Sequence, residues 1–429
     1  MKGANKMKLL HVSDLHLDSP FAGLGNESPQ LQKELINAPF KAFERCVSIA
    51  INEDVDTMLI SGDIYNSERQ SIVAQHFFMK QMERLDKVSI PVVLIHGNHD
   101  YIRPDKARMV YPDNVHALDS RQVSSYEFNL ADGRLVQIHG FSYTTKWIHE
   151  RVINAYPINN NPDAFSIGLL HGALEGIESD SGNYAPFSIE ELLSKNYDYW
   201  ALGHIHKAEV MNQEPLIQYA GTIQGRHINE TGDKGCYIVE LEKGQKTKNT
   251  FYSLASIVWE NAKLECESDW QANDIIEELQ QIRANFQDEA NANQQTYFIH
   301  VELTQAQRLD PLLLEQIQDG EFFQVLDQDY HESPFVLIHR MTPKLNVSLD
   351  VFHFDPGLEE SFNKVVEELE EGDRFKTVVS DLYQHPLIKR HFNLEHDESL
   401  QEDMIYSARQ LIAQMIGLDK ETEDETHEN

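Results

Sequence analysis

The stretch that decides the fold is LIHGNHD, residues 94–100, in which an apolar run stops at Gly97 and three polar residues follow at once. The run has the character of a buried strand, and the glycine ends it. Asn98, His99 and Asp100 carry groups that bind metal ions or take part in proton transfer. A polar turn and the edge of an active site both fit these residues, so the rest of the chain decides between them.

The same pattern recurs through the first half of the chain. Short apolar runs rich in β-branched residues end in polar or Gly-rich segments, which predicts buried strands. They lie at residues 8–14, 57–63, 91–98, 136–142, 164–172, 199–206, 215–222 and 235–241. Apolar residues at helical spacing predict helices at 31–52 and 68–87. This order predicts an α/β fold of sheets packed on each other, with helices outside.

Composition narrows the class of protein. The chain has 36 basic and 70 acidic residues, a net charge of −34, which repels nucleic acid and anionic membranes unless basic residues cluster or divalent cations neutralise the working face. The cysteines at 46, 236 and 266 have no paired spacing, which argues against a disulfide framework and a thiolate zinc site. With no signal-like or membrane-spanning run, the sequence predicts a cytoplasmic protein that has no membrane partner.

A chain of 429 residues is long enough for two or three domains. We predict a main domain at 1–254, a small α+β unit at 255–342, a helical region at 343–418 and a disordered acidic tail at 419–429. The small unit is predicted to hold a helix near 269–286, a polar interruption at 287–295, strands at 297–303 and 335–340, and a helix near 310–318. The helical region is predicted to have helices at 357–371 and 399–416.

Potential metal ligands stand at the ends of the predicted strands: Asp14, His16, Asp63, Asn98, His171, His204 and His206. We expect each pair spaced i, i+2 to point to one side of an extended backbone and to converge. Seven ligands exceed the needs of one four-coordinate ion and fit two ions about 3.5–4 Å apart, with Asp63 as the bridge. Mixed oxygen and nitrogen donors suit manganese, iron or zinc.

Such a centre would hydrolyse a phosphate ester without a covalent enzyme intermediate. Each short motif also has an ordinary interpretation as a turn or a strand histidine, but five in this order are hard to explain as turns. His11, His96 and His139 fit the ordinary interpretation better, and we predict structural roles for them.

The motifs resemble the calcineurin-like metallophosphoesterases, whose signature is D-x-H, G-D, G-N-H-D/E, H and G-H-x-H in this order. The match covers roughly residues 8–240. YAGTIQGRHINETGDKG (219–235) and DLHLDSPF (14–21) are similar to the DNA repair exonuclease branch of SbcD type, and within it to bacterial YhaO-like proteins. The resemblance implies a four-layer αββα sandwich, two manganese ions, a capping domain, DNA as substrate, and C-terminal helices that dock on a Rad50/SbcC-like coiled-coil ATPase.

The resemblance also implies roles for individual residues. One ion would be held by Asp14, His16, Asp63 and His206, and the other by Asp63, Asn98, His171 and His204. His99 would stand near the leaving oxygen as proton donor or transition-state stabiliser, with Asp100 orienting its imidazole. For Arg226, contact with the phosphate and a structural salt bridge are both open.

One residue departs from the pattern. Many double-strand-break nucleases carry a further histidine shortly after the bridging aspartate, where this chain has Asn66. An amide can bind phosphate but is not an ionisable proton donor, so phosphodiester hydrolysis is predicted more firmly than processive exonuclease action. A phosphatase or phosphodiesterase for small molecules or cyclic nucleotides, and a non-catalytic scaffold of the ATPase, remain alternatives. A homodimer is also left open.

Overall fold

The computed structural model of the chain describes residues 6–19, 29–66, 70–103, 110–176, 184–326 and 334–344, together with short pieces between 361 and 408. The fold has two compact units. Unit 1 comprises Met1–Asn261, Arg283–Ile299 and Asp329–Leu337, and unit 2 comprises Ala262–Ile282, His300–Gln328 and Ile338–Asn429. The boundary that the sequence predicts between residues 254 and 255 would divide domains that fold separately. It stays a prediction.

In chain order, the described strands are β1 Lys6–Val12, β2 Thr57–Ser61, β3 Val92–Ile95, β4 Val115–Ala117, β5 Ser124–Asn129, β6 Leu135–Gly140, β7 Phe165–His171, β8 Tyr199–Gly203, β9 Glu209–Gln213, β10 Leu216–Tyr219, β11 Gly235–Glu242, β12 Lys248–Ser253, β13 Ile257–Glu265, β14 Thr296–Thr304 and β15 Val336–Pro343. The described α-helices are α1 Pro29–Asn52, α2 Ile72–Asp86, α3 Ile189–Leu193, α4 Ala272–Asn293, α5 Pro311–Gln318, α6 Glu321–Val325 and α7 Arg374–Val378. Short 3₁₀ helices lie at Val152–Ala155 and Ala306–Arg308.

Unit 1 is built on two six-stranded sheets. Sheet 1 has the order β12-β11-β1-β2-β3-β4, in which β1 to β4 run parallel, β11 is antiparallel to β1, and β12 is antiparallel to β11. Sheet 2 has the order β5-β6-β7-β8-β10-β9, in which β6, β7, β8 and β10 run parallel between antiparallel edge strands. The carboxyl ends of both parallel sets carry the predicted ligands.

Successive side chains on each strand point to opposite faces of its sheet, and this alternation produces a four-layer arrangement. On β1, Leu10 and Val12 pack with α1 and α2 on one face of sheet 1, whereas Met7 and Leu9 belong to the core between the two sheets. On the far face of sheet 2, Trp200 packs with residues of α3 and of the 3₁₀ turn that begins at Val152. Period-two side-chain direction therefore gives each sheet two buried faces. The αββα fold expected from the resemblance is confirmed.

His11 lies between the two sheets, as expected for a structural histidine. Its Nδ1 is 2.7 Å from the hydroxyl of Tyr199 in sheet 2, and its Nε2 is 3.1 Å from Oγ of Ser61 in sheet 1. Burial lowers the pKa of His11 to about 3, so the ring is neutral and acts as a hydrogen-bonded link between the sheets.

The predicted strands are all present with shifts of a few residues at their ends, and so are the helices of unit 1. The helix predicted at 269–286 was too short, because α4 continues to Asn293 through the predicted interruption. Its last turns are polar but contain good helix formers, with Ala290 buried, so an apolar stripe was not needed there. The helix ends where Gln294 takes a left-handed φ of 55°.

The third sheet has the order β13-β14-β15. The helices predicted at 357–371 and 399–416 and the tail at 419–429 lie largely or wholly outside the described residues, although 364–369 are helical. Within the part of the chain that is described, no helix combines the length and the apolar character needed to cross a bilayer.

Candidate metal centre

The predicted ligands meet where the two sheets of unit 1 present the ends of their parallel strands. Asp14 and His16 follow β1, Asp63 follows β2 and Asn98 follows β3, while His171 ends β7 and His204 and His206 follow β8. The described structure therefore brings all seven side chains to one region, which a linear spacing alone cannot achieve.

The sequence predicted that these side chains converge because the backbone is extended at the i, i+2 pairs, and that prediction is wrong. Asp14, His16 and Asp63 have φ values of 50°, 44° and 51°, and His204 has 103°, so these residues are left-handed and not extended. His204 and His206 consequently diverge. Nδ1 of His204 lies 3.2 Å from Oδ1 of Asn98, whereas Nε2 of His206 lies 3.1 Å from Nε2 of His16. Left-handed backbone of this kind outside glycine is a feature of functional sites.

Asp14, His16 and His206 form one group of donors. Their ligand atoms lie within 4.8 Å of one another, and Nε2 of His206 is 4.0 Å from Oδ1 of Asp14. Burial and the positive charge of Arg226 keep the pKa of His16 well below its usual range. The ring is therefore neutral and has a lone pair that a metal ion can use.

Asp14, Asp63 and His171 form a second group within the same 4.8 Å limit. Nε2 of His171 is 2.9 Å from Oδ1 of Asn98, which adds an amide oxygen to this side. Oδ2 of Asp63 lies 3.4 Å from Nε2 of His171 in this group and 4.0 Å from Nε2 of His16 in the first group. The residue that the two groups share is Asp14, and the bridging role of Asp63 stays a prediction.

Asp63 and His171 also fix each other's charge. Burial opposes charge on the imidazole, yet the nearby carboxylate of Asp63 raises the pKa of His171 to about 9. Burial likewise opposes charge on Asp63, but His171 and the neighbouring histidines keep the pKa of that carboxyl well below its usual range. Nδ1 of His171 lies 2.9 Å from the carbonyl oxygen of Ser61, which turns Nε2 towards the donors.

Two glycines leave room for this close approach. A Cβ on Gly97 would lie 2.2 Å from Oδ1 of Asp63 and 2.6 Å from Nε2 of His171. A Cβ on Gly203 would lie 2.0 Å from the carbonyl oxygen of Ser61. Any side chain at either position would displace a donor or the backbone that orients one.

His99 lies at the edge of the two groups. Its backbone N–H donates to Oδ1 of Asp63 at 3.0 Å, and its ring centroid is 5.2 Å from that of His16. Nδ1 lies 3.1 Å from the carbonyl oxygen of Asn66. That oxygen can only accept a hydrogen bond, which leaves Nε2 of His99 as the nitrogen available to a substrate.

Asp100 does not contact the His99 ring, and the orienting role predicted for it is corrected. Its Oδ1 accepts from the N–H of Gly97 at 2.8 Å, while its Oδ2 accepts from the N–H of Ile64 at 3.0 Å and lies 3.2 Å from Nδ1 of His96. The side chain points back into the loop because those buried N–H groups need an acceptor. Asp100 therefore joins the loops after β2 and β3.

Arg226 forms the salt bridge that was one of its two predicted roles. Its Nη2 is 3.1 Å from Oε1 of Glu230, and its Nη1 donates to Oδ1 of Asn66 at 3.1 Å and to Oγ of Ser19 at 3.0 Å. Glu230, which the sequence did not single out, also lies 2.7 Å from Nδ1 of His206. The i, i+4 spacing of Arg226 and Glu230 was the one signal available.

The donor set fits divalent ions. Carboxylate oxygen, amide oxygen and imidazole nitrogen converge from buried positions, and the Nδ1 atom of His16 has no hydrogen-bond partner among the described residues. The donors form two groups that share Asp14, and each group could hold a metal ion.

Comparison with known proteins agrees with this geometry. The family model for calcineurin-like phosphoesterases matches residues 7–208. A Bacillus subtilis protein described as an uncharacterized metallophosphoesterase, YhaO, is 31% identical over 401 residues, which cover 92% of this chain and 95% of that protein. The chain belongs to the calcineurin-like phosphoesterase family.

This family consists of phosphoesterases that use divalent metals, and the resemblance found in the motifs is confirmed. Its relatives include the DNA double-strand break repair protein Mre11 of Saccharolobus solfataricus, 28% identical over 248 residues, with 55% of this chain and 61% of that protein covered. The SbcD component of the SbcCD nuclease of Staphylococcus epidermidis is 25% identical over 345 residues, with 72% of this chain and 83% of that protein covered. These relatives support a place in the DNA repair exonuclease branch of the family.

Proposed function

We propose that this phosphoesterase is a two-metal phosphodiester hydrolase that cleaves DNA, with manganese as the working metal. The observation that carries the proposal is the pair of donor groups, which share Asp14, with Asp63 of the second group reaching towards His16 of the first and with His99 at their edge. One ion would be held by Asp14, His16, Asp63 and His206, and the other by Asp63, Asn98, His171 and His204.

Divalent ions held there supply the Lewis acidity that activates water and offsets negative charge on the phosphate. The protein's own part is to hold the donors in place and to deliver a proton. Nδ1 of His99 faces the carbonyl oxygen of Asn66, so Nε2 is the nitrogen that would donate to the departing oxygen of the sugar.

Support for DNA as the substrate comes from the relatives named above, since a metal centre alone does not choose between diesters. The charge of −34 disfavours strong autonomous binding to DNA. We therefore propose that affinity is supplied by a Rad50/SbcC-like coiled-coil ATPase. Residues 255–342 would act as a capping domain, and 343–418 would dock on the ATPase.

The proposal is tested with purified, metal-free protein to which Mn²⁺ is returned. Wild type and His99→Ala are assayed on bis-p-nitrophenyl phosphate and on single-stranded and duplex oligonucleotides, with His76→Ala as the matched control. His76 is exposed on α2, away from the donors. We expect wild type and His76→Ala to cleave the small diester alone and the oligonucleotides once the ATPase is added, and His99→Ala to cleave both at least about 10²-fold more slowly.

Hydrolysis of the small diester without any cleavage of DNA, even with the ATPase present, would remove the nuclease proposal and leave the small-molecule phosphodiesterase. Uptake of Mn²⁺ without hydrolysis of any diester would instead favour the scaffold of the ATPase.

A further inference from the structure

Arg226 and Glu230 form a buried ion pair beside His206. Arg226 is 7% exposed and Glu230 is 6% exposed. One carboxylate oxygen, Oε2, accepts from the backbone N–H of Arg226 at 2.7 Å, and the other, Oε1, lies 3.1 Å from Nη2 of Arg226. The same Oε1 lies 2.7 Å from Nδ1 of His206. One glutamate therefore contacts both the guanidinium and a proposed metal ligand.

The contact determines which nitrogen of His206 carries a proton. The carboxylate of Glu230 is the buried ion-pair partner of the guanidinium of Arg226, at 3.1 Å. A carboxylate in such a pair accepts hydrogen bonds, and its 2.7 Å contact with Nδ1 of His206 is shorter than the 3.2 Å between that nitrogen and Nη2 of Arg226, so Nδ1 is assigned as the donor to Glu230. The remaining nitrogen, Nε2, then has a lone pair and faces Nε2 of His16 at 3.1 Å.

Four of the five N–H groups of Arg226 point to acceptors within the protein, and the fifth, on Nη2, faces the ring of His206, with Nη2 3.2 Å from Nδ1. Nη1 donates to Asn66 and Ser19, while Nη2 and Nε point to the carboxylate of Glu230. The guanidinium thereby contacts both the carboxylate of Glu230, which touches His206, and the side chain of Asn66. The backbone carbonyl oxygen of Asn66 lies 3.1 Å from Nδ1 of His99. A continuous set of contacts runs from the ligand His206 to His99.

The loop that carries the pair is anchored, just before Arg226, to residues 256–259. The indole N–H of Trp259 donates to the carbonyl oxygen of Gly225 at 3.0 Å. The side-chain amide of Gln224 donates to the carbonyl oxygen of Ile257 at 2.7 Å, and its oxygen accepts from the N–H of Ser256 at 2.9 Å. A Cβ on Gly225 would lie 2.7 Å from the carbonyl oxygen of Glu230. The position of Glu230 is thus fixed by close packing.

From these contacts we infer that Glu230 is the positioning residue for His206, setting its ring orientation and tautomer, and that Arg226 positions Glu230 and Asn66 and does not bind the phosphate. The inference rests on the proposed function, since it assumes that His206 holds an ion. A carboxylate that orients a ligating histidine raises metal affinity by about 10- to 100-fold in other metal sites.

The first test measures Mn²⁺ binding to metal-free protein by titration calorimetry, in wild type, Glu230→Ala and the near-isosteric Glu230→Gln. The matched control is Glu191→Gln, which removes the carboxylate of another Arg–Glu pair, to Arg151, outside the site. We expect Glu230→Ala to weaken one of the two ions by about 10- to 100-fold, and Glu230→Gln to weaken the same ion less. Glu191→Gln should bind both ions as wild type does.

Wild-type affinity for both ions in Glu230→Ala overturns the inference, as does an equal loss in Glu230→Ala and Glu191→Gln, which would reflect stability alone. If wild type binds two ions and cleaves the diester while Glu230→Ala behaves identically, the inference fails and the proposed function stands. If wild type binds no ion, both fail.

A second test separates positioning from phosphate binding at Arg226. Arg226→Lys keeps a positive charge but cannot reach Asn66, Ser19 and Glu230 together. We expect kcat to fall with KM for the diester unchanged to within about twofold. A rise in KM of about tenfold or more with normal metal affinity would show that Arg226 binds the phosphate.

Discussion

Asp63 and His171 come from different sheets, yet Oδ2 of Asp63 lies 3.4 Å from Nε2 of His171. Both side chains are fully or almost fully buried. Without a metal ion, the pair is therefore held by attraction between carboxylate and imidazolium, and the same atoms are the ones that a metal ion would take. The protonated, metal-free pair and the metal-bound site would use the same atoms, so the balance between these two states depends on pH.

The first prediction concerns the metal-free protein at high pH. The pKa of His171 is about 9 in the fold, above the usual 6.5, so its contribution to stability is complete below pH 6.5 and is lost as pH rises through 9. In EDTA, the free energy of unfolding of wild type should fall over this range. Asp63→Asn should not show this fall, because its His171 has no carboxylate to hold the proton. Parallel urea curves for the two proteins across the range would contradict this account.

The second prediction concerns proton release on metal binding. Because His171 is protonated in the metal-free protein below pH 9, a metal ion must displace that proton, and affinity should fall as pH falls. Titrating Mn²⁺ at neutral pH in buffers of different ionisation enthalpy should show release of about one proton for the ion that His171 binds. Identical heats in all buffers would argue against it.

The third prediction concerns acid stability and His11. Its pKa in the fold is about 3, below the usual 6.5, so stability is complete above pH 6.5 and is lost as pH falls towards 3. Urea unfolding should therefore show a steeper acid loss in wild type than in His11→Gln, by at most about 1.4 kcal/mol per pH unit. His76→Gln, at an exposed position, should follow wild type. An unchanged slope in His11→Gln would mean that the buried ring is protonated.

The fourth prediction separates catalysis from metal binding at His99. Its side chain contacts the loop of Asn66 and lies beside the donor groups without joining either of them. His99→Ala should therefore bind Mn²⁺ as wild type does, while kcat on bis-p-nitrophenyl phosphate falls by about 10²- to 10⁴-fold. Loss of bound metal in this variant would instead make His99 a ligand.

The fifth prediction concerns Gly97. An added methyl group would lie 2.2 Å from Oδ1 of Asp63, so Gly97→Ala should abolish or strongly weaken metal binding with every ligand still in the sequence. Gly133→Ala is the control, since Gly133 has a φ of +89° and no atom within 4 Å of the added carbon. It should lose stability from backbone strain but bind metal normally. Normal metal content in Gly97→Ala would show that the loop can move aside.

The sequence predicted much of the fold because both sheets of unit 1 are buried on two faces. A strand with two buried faces is a continuous apolar run, as in the fully buried β7 and β8. Edge strands gave no such signal. β5 alternates half-buried and exposed residues, and β9 has no buried residue, so both were missed. The end of α4 was missed because Gln287, Glu289, Ala290 and Ala292 favour a helix although they form no apolar stripe.

At the site, the sequence identified candidate ligands that the fold brings together, but not how they are held. Chemistry-bearing residues at strand ends are visible in a linear pattern, and topology brings such ends together. The left-handed backbone of Asp14 and His16 was not visible, because those residue types do not demand it. The partner of Asp100 was not predictable either, since it depends on which buried N–H groups lacked an acceptor.

By itself, the sequence determined the fold class, the family and the seven candidate ligands, because apolar runs and the polar residues that end them are local properties of the chain. The tertiary structure decided the rest. It placed Asp63 between His171 and His16, turned Asp100 towards His96, and set Glu230 against His206, although 23 residues separate Glu230 from His206 in the chain. These relationships depend on distances across sheets and loops, and no spacing along a strand or helix encodes such distances.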